Sequence, residues 1–341
     1  DDFLNVTDSA GDEGAIFARQ VLGKKLTSED LAYLQAKDDH AVIEVEGKTL
    51  VVQMAINAFP IIEDTEEELI DATGFTGNTT IVDISREGIV LDLSSVITFN
   101  DRFDSGTSGR RTHSVDISDG ARLDFSQLET ILLPERSSDR LQFQVEGENS
   151  DLDLSNLKTV GGNGNGDLRF RVTETASASL LSLESIKNGI FSLNNEGRIT
   201  IDSESLEELE RTQFFVSQDS QLITSEDAEA TYDVTGFAGN TTLISISGED
   251  TVLDLSSVIT FNDRFDSGTS GRRTHSVDIS DGARLDFSQL ETILLPERSS
   301  DRLQFQVEGE DSDLDLSGLK TIVGGSGNLR FDITGVDLTQ T

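Results

Sequence analysis

The sequence predicts an all-β chain wound as a right-handed parallel β-solenoid (β-helix), with a small α+β cap at its N-terminus. Two observations predict this fold. Residues 90–148 recur without a change as residues 252–310, so that 59 consecutive residues are repeated at an offset of 162. Within this period a shorter motif of alternating strands recurs every 29 to 32 residues. Long internal periods are typical of architectures in which each unit buries its apolar face against the next.

Residues 1–64 differ from the repeats and are expected to form the small α+β cap or an assembly domain. Residues 28–37 have a capping residue and early acidic residues, which predict a short helix, and residues 13–22 fit a second one. Residues 41–46 and 48–56 alternate around a glycine, which predicts a β-hairpin. A solenoid needs such a cap because its open end exposes unpaired strand edges and bare core.

Residues 72–234 are predicted to form the first solenoid repeat, and residues 235–341 a second, partial copy. The recurring strand motif has the pattern Leu-Asp-Leu-Ser, and we expect its first leucines to stack in one core, in coils of 27 to 32 residues. The motif begins at Leu91, Leu123, Leu152 and Leu181, and again at Leu253, Leu285 and Leu314. The alternatives are a leucine-rich repeat, whose spacing is not kept, and a tandem β-sandwich, which leaves the inner repetition unexplained.

The charge of the chain argues against two classes of partner. With 64 acidic and 26 basic residues the net charge is −38, and both nucleic acid and an anionic membrane surface call for the opposite sign. No apolar run reaches the ~18 residues of a membrane-spanning helix, so we predict no membrane insertion. The absence of cysteine excludes disulfides and thiolate chemistry.

One aspartate occupies the same position in successive strand motifs, and stacking would form a ladder of like charges. Like charges directly opposed are destabilising unless a cation lies between them, so the ladder predicts Ca²⁺ binding. The alternative is a polar face of solvated carboxylates. The aspartates concerned are Asp92, Asp124, Asp153, Asp254, Asp286 and Asp315.

The longest excursion between strands is residues 99–113, repeated as residues 261–275. It is rich in cations on an acidic chain, and binding residues concentrate on loops of rigid scaffolds. It is expected either to bind an anionic glycan through arginine or to pair with the acidic face of a neighbouring molecule; the alternative is a solvated insertion. The candidate residues are Arg102, Arg110, Arg111, His113, Arg264, Arg272, Arg273 and His275, with Asn100, Asp101 and Asp104 as further metal ligands.

Catalytic signatures are few. The chain has three histidines, none in a recognised catalytic motif, and no tryptophan that could serve as a sugar platform. An acidic group formed by Asp116, Asp119, Asp124 and Arg122 is the best enzyme-like set, and it too is duplicated. We therefore predict a protein that is not an enzyme, with a β-helix polysaccharide lyase or hydrolase as an alternative.

The stacked Leu-Asp-Leu-Ser strands, the Asp-Gly turns, the acidic composition and the lack of cysteine resemble the large repetitive surface proteins and adhesins of bacteria. The resemblance covers residues 72–341 in style. It implies an extracellular or cell-surface location, dependence on calcium, and self-association. The expectation is a structural or adhesive repeat protein that assembles into a filament, sheath or surface layer.

Overall fold

The structure, a computed structural model, describes residues 40–45, 48–53, 69–75, 77–106, 109–237, 239–266, 268 and 271–335. These residues form strands and turns, and they include no helix. The chain divides into two compact units: unit 1 is Asp1–Leu168 with Ala176–Ala178, and unit 2 is Arg169–Thr175 with Ser179–Thr341.

Unit 1 contains strands of three sheets, and from β3 onward each sheet takes every third strand of the solenoid. Sheet I has the order β1 (His40–Val45), β2 (Lys48–Gln53), β4 (Thr79–Ser85), β7 (Thr112–Ser118) and β10 (Arg140–Glu146). Sheet II contains β5 (Val90–Asp92), β8 (Arg122–Asp124) and β11 (Asp151–Asp153). Sheet III contains β3 (Leu69–Asp71), β6 (Thr98–Asn100), β9 (Thr130–Leu132) and β12 (Thr159–Gly161). The division between the units falls within β13 (Asp167–Thr173) and β14 (Ser177–Ser179).

Unit 2 repeats the same arrangement. Its sheet I has the order β16 (Gly189–Asn194), β19 (Gln213–Ser217), β22 (Thr241–Ser247), β25 (Thr274–Ser280), β28 (Arg302–Glu308) and β31 (Asn328–Thr334). Its sheet II contains β17 (Arg198–Ile201), β20 (Gln221–Thr224), β23 (Val252–Asp254), β26 (Arg284–Asp286) and β29 (Asp313–Asp315). Its sheet III contains β15 (Ser185–Lys187), β18 (Glu208–Glu210), β21 (Ala230–Asp233), β24 (Val258–Asn262), β27 (Thr292–Leu294) and β30 (Thr321–Val323).

The strand motif stacks in register, as the sequence predicts. Leu91 is paired with Leu123, and Leu123 with Leu152, in parallel, and all three side chains are buried. Each unit is therefore a parallel β-solenoid, which confirms the predicted fold class and excludes the sandwich. The placement of Leu181 is wrong: it lies in a turn after β14, and its side chain is 43% exposed. The inward-facing residue of β14 is Ala178, whose small side chain takes the place of the leucine in the motif. The sequence pattern therefore did not indicate the correct strand.

Aromatic side chains stack along the interior of each unit. In unit 2 the rings of Phe191 and Phe214 lie 5.3 Å apart at 6°, and Phe214 meets Tyr232 edge-on at 5.9 Å. In unit 1 Phe99 contacts Phe143 edge-on at 6.0 Å. A period-2 strand turns alternate side chains inward, so parallel pairing in register places like residues on top of one another.

The lengths of the coils vary more than the predicted 27 to 32 residues. Arg169 contacts Ser192, 23 residues later, whereas Ser114 contacts Thr80 across 34 residues. The long coil contains the excursion between β6 and β7, and the short coil has tight turns instead. In the short coil the corner between β13 and β14 shows such a turn, because Glu174 and Thr175 both take positive φ, 59° and 63°.

The predicted hairpin is confirmed, since β1 and β2 pair antiparallel and Val52 of β2 pairs with Ile84 of β4. The predicted helices at 13–22 and 28–37 lie outside the described residues. Right-handed winding and the boundaries of the cap and the two repeats stay predictions.

We expect Phe214→Ala to lower the free energy of unfolding by about 3 to 5 kcal/mol, because it removes a buried, stacked ring and leaves a cavity. The matched control is Phe215→Ala, on the half-exposed outer face of the same strand, with an expected loss below about 1 kcal/mol. Denaturant unfolding followed by circular dichroism measures both. Equal losses would contradict the alternation of the strand.

Candidate functional site

The duplicated excursion forms the candidate site. We define loop 1 as residues 101–111, between β6 and β7, and loop 2 as residues 263–273, between β24 and β25. The Nδ1 atom of His113, in β7, lies 2.5 Å from Oδ1 of Asp101 at the start of loop 1, and both side chains are fully buried. This pair joins the start of the loop to the strand that follows it.

Aromatic rings enclose the histidine. Phe103 of loop 1 stacks on His113, with ring centroids 3.8 Å apart at 23°, and Phe75 meets it edge-on at 6.1 Å. Within the described part of the chain, Nε2 of His113 and Oδ2 of Asp101 are buried without a hydrogen-bond partner. The two side chains therefore lose their hydration and gain one short contact and the neighbouring aromatic rings. This burial lowers the stability of the fold unless the two groups share a proton.

A second buried carboxylate holds the loop backbone. The Arg111 N–H donates to Oδ1 of Asp139 over 3.1 Å, and the Ser105 N–H donates to Oδ2 over 3.4 Å. Asp139 is itself fully buried, and it comes from the coil that follows the loop. Asp139 therefore fixes the backbone of loop 1 at Ser105 and at Arg111.

Loop 2 repeats these contacts. His275 Nδ1 lies 2.5 Å from Oδ1 of Asp263, and the ring stacks on Phe265 at 3.9 Å. Oδ1 of Asp301 accepts the Arg273 N–H over 3.2 Å. The anchor is therefore present once in each unit.

Burial dominates the acidity of the buried pair. Burial raises the pKa of Asp101 to about 7, the hydrogen bond and charge of His113 oppose this rise, and the carboxylate of Asp139 adds to it. Burial likewise raises the pKa of Asp263 to about 6. The charged groups that act on Asp263 are His275, Asp301 and Asp233. Both aspartates therefore hold a proton at pH values where an exposed aspartate has lost it.

The arginines of the loops lie outside the anchor. Arg110 and Arg272 are exposed, and Arg111 and Arg273 are half-buried. Arg102 is half-buried. Arg110 and Arg272 are thus exposed cations on a strongly acidic chain.

Arg264, the equivalent of Arg102 in loop 2, is exposed, and its Nε lies 3.9 Å from a carboxylate oxygen of Glu297. Nearby, Arg298 contacts Asp266 at 3.3 Å, and Arg136 makes the equivalent 3.5 Å contact with Asp104 in loop 1. Ion pairs therefore partly neutralise the charges at the base of each loop, whereas Arg110 and Arg272 are exposed.

His113 and His275 differ from the expectation that they are surface ligands. Their side chains are fully buried, so they cannot contact a partner surface directly. The alternation of β7 contains the signal for this, because His113 has the inward parity of Val115 and Ile117. The role of Asp139 had no such signal, since it lies 28 residues from Arg111 in the chain.

Of the three further metal candidates, Asn100 ends β6, and Asp101 and Asp104 lie in loop 1. Asp101 is buried against the histidine, whereas Asp104 is exposed and its Oδ1 accepts the Gly106 N–H over 2.9 Å. Asn100 donates to Asp71 over 3.4 Å. Each of these polar side chains thus has a local structural partner.

The aspartate ladder is in register within each unit. Asp124 is paired with both Asp92 and Asp153, and Asp286 with both Asp254 and Asp315. One oxygen of each aspartate accepts the backbone N–H of the serine two residues later, over 2.8 to 3.0 Å. Each aspartate therefore caps the turn that ends its own strand. The turn role was not predicted, although the Asp-x-Ser spacing signals it.

The enzyme-like acidic group is spread over two faces. Asp116 faces outward from sheet I, Asp124 from sheet II, and Asp119 lies at the corner between them. Asp119 lines an open cavity of about 580 Å³ together with Arg86, Glu87, Glu148 and Asn149. Burial raises the pKa of Asp116, with the facing Asp83 carboxylate adding to the shift.

Comparison of the chain with protein-family models, curated proteins and solved structures finds no match. Across the ranges that the structure describes, no three or more His, Cys, Asp or Glu side chains are grouped to hold a metal ion. In the same ranges no helix has the length and apolar character needed to cross a membrane. The class that the geometry defines is a parallel β-solenoid that presents two copies of one anchored loop.

We expect the double variant Asp101→Asn/Asp263→Asn to flatten the pH dependence of stability by at least about 1 kcal/mol between pH 4 and 7. In this pH range the native state keeps a proton on each of these aspartates, whereas the unfolded chain has released it. Their contribution to the free energy of unfolding is therefore present at low pH and is lost as pH rises through about 6 to 7. Denaturant unfolding at stepped pH measures this change.

The matched control for the pH experiment is Asp119→Asn/Asp281→Asn, which makes the same substitution at exposed, duplicated turn positions whose positive φ asparagine tolerates. Repulsion within the acidic chain also weakens as pH falls, and this control retains that contribution. Identical slopes for the buried and exposed variants would contradict a protonated buried pair.

Proposed function

We propose that this protein is a non-catalytic structural and adhesive repeat module that self-associates at a cell surface through its two loops. The carrying observation is that both copies of the loop are anchored by the same buried contacts while Arg110 and Arg272 stay exposed. A chain that builds the same cationic tip twice is suited to multivalent contacts, in which two weak sites act together.

The acidic ladders supply a complementary surface. Sheet II carries three aspartates in register in each unit, and the net charge of the chain is −38. Arginine forms charge-assisted hydrogen bonds to carboxylates with two donors at once. We propose that the loop tips of one molecule bind the aspartate ladder of a neighbour, so that copies assemble laterally into a filament, sheath or surface layer.

An extracellular setting is part of the same proposal. The resemblance of residues 72–341 to repetitive bacterial surface proteins and adhesins supports it, as does a long repeat chain without cysteine. Ca²⁺ is the proposed stabilising ion, because a divalent cation between stacked carboxylates relieves their repulsion.

We expect Arg110→Glu/Arg272→Glu to abolish the concentration-dependent assembly of the chain, because it reverses the charge of both loop tips. The matched control is Lys158→Glu/Lys320→Glu, which makes the same charge change at duplicated lysines next to sheet III, 42% and 65% exposed. Light scattering across a range of protein concentrations at ~0.15 M salt measures assembly. Assembly that survives the loop variant, or is lost equally in both, would contradict the proposal.

The same pair of variants tests the alternative function, binding of an anionic glycan. The exposed arginines favour this function too, since a guanidinium group binds a sugar carboxylate as readily as a protein carboxylate. Calorimetric titration of a polyuronate into the dilute protein gives the readout. Binding by a monomeric chain that only the loop variant loses would replace self-association with glycan recognition.

We expect Ca²⁺ at about 1 mM to raise the melting temperature, and the rise to shrink in Asp124→Asn/Asp286→Asn. These substitutions change the middle aspartate of each ladder, and asparagine retains the turn cap while removing the charge. Thermal unfolding with Mg²⁺ at equal concentration is the control. An equal rise with Mg²⁺, or in the variant, would remove Ca²⁺ from the ladder.

A further inference from the structure

Two strands of sheet I, one in each copy, begin with an arginine beside a loop. Arg140 begins β10, and its backbone N–H donates over 2.9 Å to the carbonyl of Arg111, the last residue of loop 1. Arg302 begins β28 and makes the same 2.9 Å contact with Arg273, the last residue of loop 2. In both side chains the Nε atom is buried and has no hydrogen-bond partner among the described residues. Each copy therefore holds the same cation at the same place, with a donor left unpaired.

Unit 1 supplies a carboxylate to its arginine. Nη2 of Arg140 lies 3.5 Å from Oδ2 of Asp167 in β13, and the arginine side chain is only 10% exposed. Burial lowers the pKa of Arg140, the positive charge of Arg110 lowers it further, and the carboxylate of Asp167 opposes both effects. A buried guanidinium group needs an opposite charge beside it, and here the chain itself provides one.

Unit 2 has an asparagine at the equivalent position. Asn328 takes in β31 the place of Asp167 in β13, because each N–H donates to the carbonyl of the residue before the arginine, over 3.0 and 3.1 Å. The pairing of β28 with β31 sets Asn328 opposite Arg302, and Nδ2 of Asn328 donates to the carbonyl of Ser299 over 2.9 Å. A neutral amide thus stands where unit 1 has a carboxylate.

Arg302 is half-buried, and its charge has no counterpart in the described part of the chain. Nη1 donates to Oε1 of Gln304 over 3.4 Å, which is a contact with a neutral group. Both strands that flank β28 are described, and Arg302 makes no ion pair with any described residue. A guanidinium group in this state gains from a carboxylate, which accepts hydrogen bonds from two of its donors at once.

We infer that Arg302 is a binding site for an external carboxylate, which takes the place that Asp167 has in unit 1. The contact in unit 1 identifies the ligand class, because it shows which group fits beside this arginine. Asp167 closes the corresponding site in unit 1, so the two copies differ in binding. The site lies on β28 and not on the loop arginines, so it holds or fails independently of assembly through the loops.

Heteronuclear NMR of the full chain tests the site, because it observes arginine Nε–H groups directly. Loss of one signal in Arg302→Lys, and of another in Arg140→Lys, assigns the two groups. We expect acetate up to ~100 mM, at an ionic strength held constant with chloride, to shift the Arg302 signal in a saturable way and to leave the Arg140 signal in place. Galacturonate is titrated separately. Equal affinities assign the site to any small carboxylate, and tighter binding of galacturonate assigns it to a sugar acid.

Two reciprocal substitutions are the matched controls. Asn328→Asp gives unit 2 its own carboxylate and is expected to weaken acetate binding at Arg302 at least about tenfold, because the ligand must displace it. Asp167→Asn removes the carboxylate from unit 1 and is expected to make the Arg140 signal respond to acetate. Circular dichroism melting shows whether each variant remains folded, and either substitution alone decides the question if the other unfolds the chain.

Three results would overturn the inference. The first is an Arg302 signal that acetate does not move, or that chloride alone moves as far. The second is a response of Arg140 equal to that of Arg302 in the unchanged protein. The third is a folded Asn328→Asp variant that binds acetate as tightly as before. Loss of loop-mediated assembly in light scattering affects none of these readouts, so failure of the proposed function is distinguished from failure of this site.

Discussion

Parallel stacking in register is the constraint on which the other features of each unit depend. Every third strand pairs with its equivalent in the next coil, so the inward residues of one coil lie on those of the last, as Phe191 does on Phe214. Burial of these columns supplies the apolar contact, and the ladders satisfy the backbone hydrogen bonds. A change of register by one residue would turn each strand over and bring its polar face into the core.

The same constraint places outward residues in columns and thereby sets the chemistry of the surface. Like charges accumulate along sheet II because Asp124 is stacked between Asp92 and Asp153. A loop can leave the solenoid where buried contacts still join the chain on either side of it. The buried Asp101–His113 pair and the Asp139 cap provide these contacts for loop 1, and they occur again in loop 2. As a result, the exposed Arg110 and Arg272 each lie beside a residue whose backbone is held by a buried aspartate.

Periodicity alone predicted the solenoid, the register of Leu91, Leu123 and Leu152, and the aspartate column, because each follows from spacing along the chain. It failed where a coil changed the size of its inward residue, as at Ala178. The anchor of the loops was also missed. The many charged residues of the loop suggested that its histidines are exposed. The alternation of inward and outward residues in β7 instead directs His113 inward. Asp139 contacts the loop only after the chain has wound into coils, so no local sequence pattern predicts this contact.

Nitroxide labels give the most direct test of register, because the chain contains no cysteine to compete with the labelling sites. Labels on Asp92→Cys/Asp124→Cys should lie one strand spacing apart, ~4.8 Å between backbones, and show strong spin exchange in the electron paramagnetic resonance spectrum. The same is expected for labels at positions 254 and 286 in unit 2. Well-separated labels with no exchange in either pair would contradict stacked coils and the account built on them.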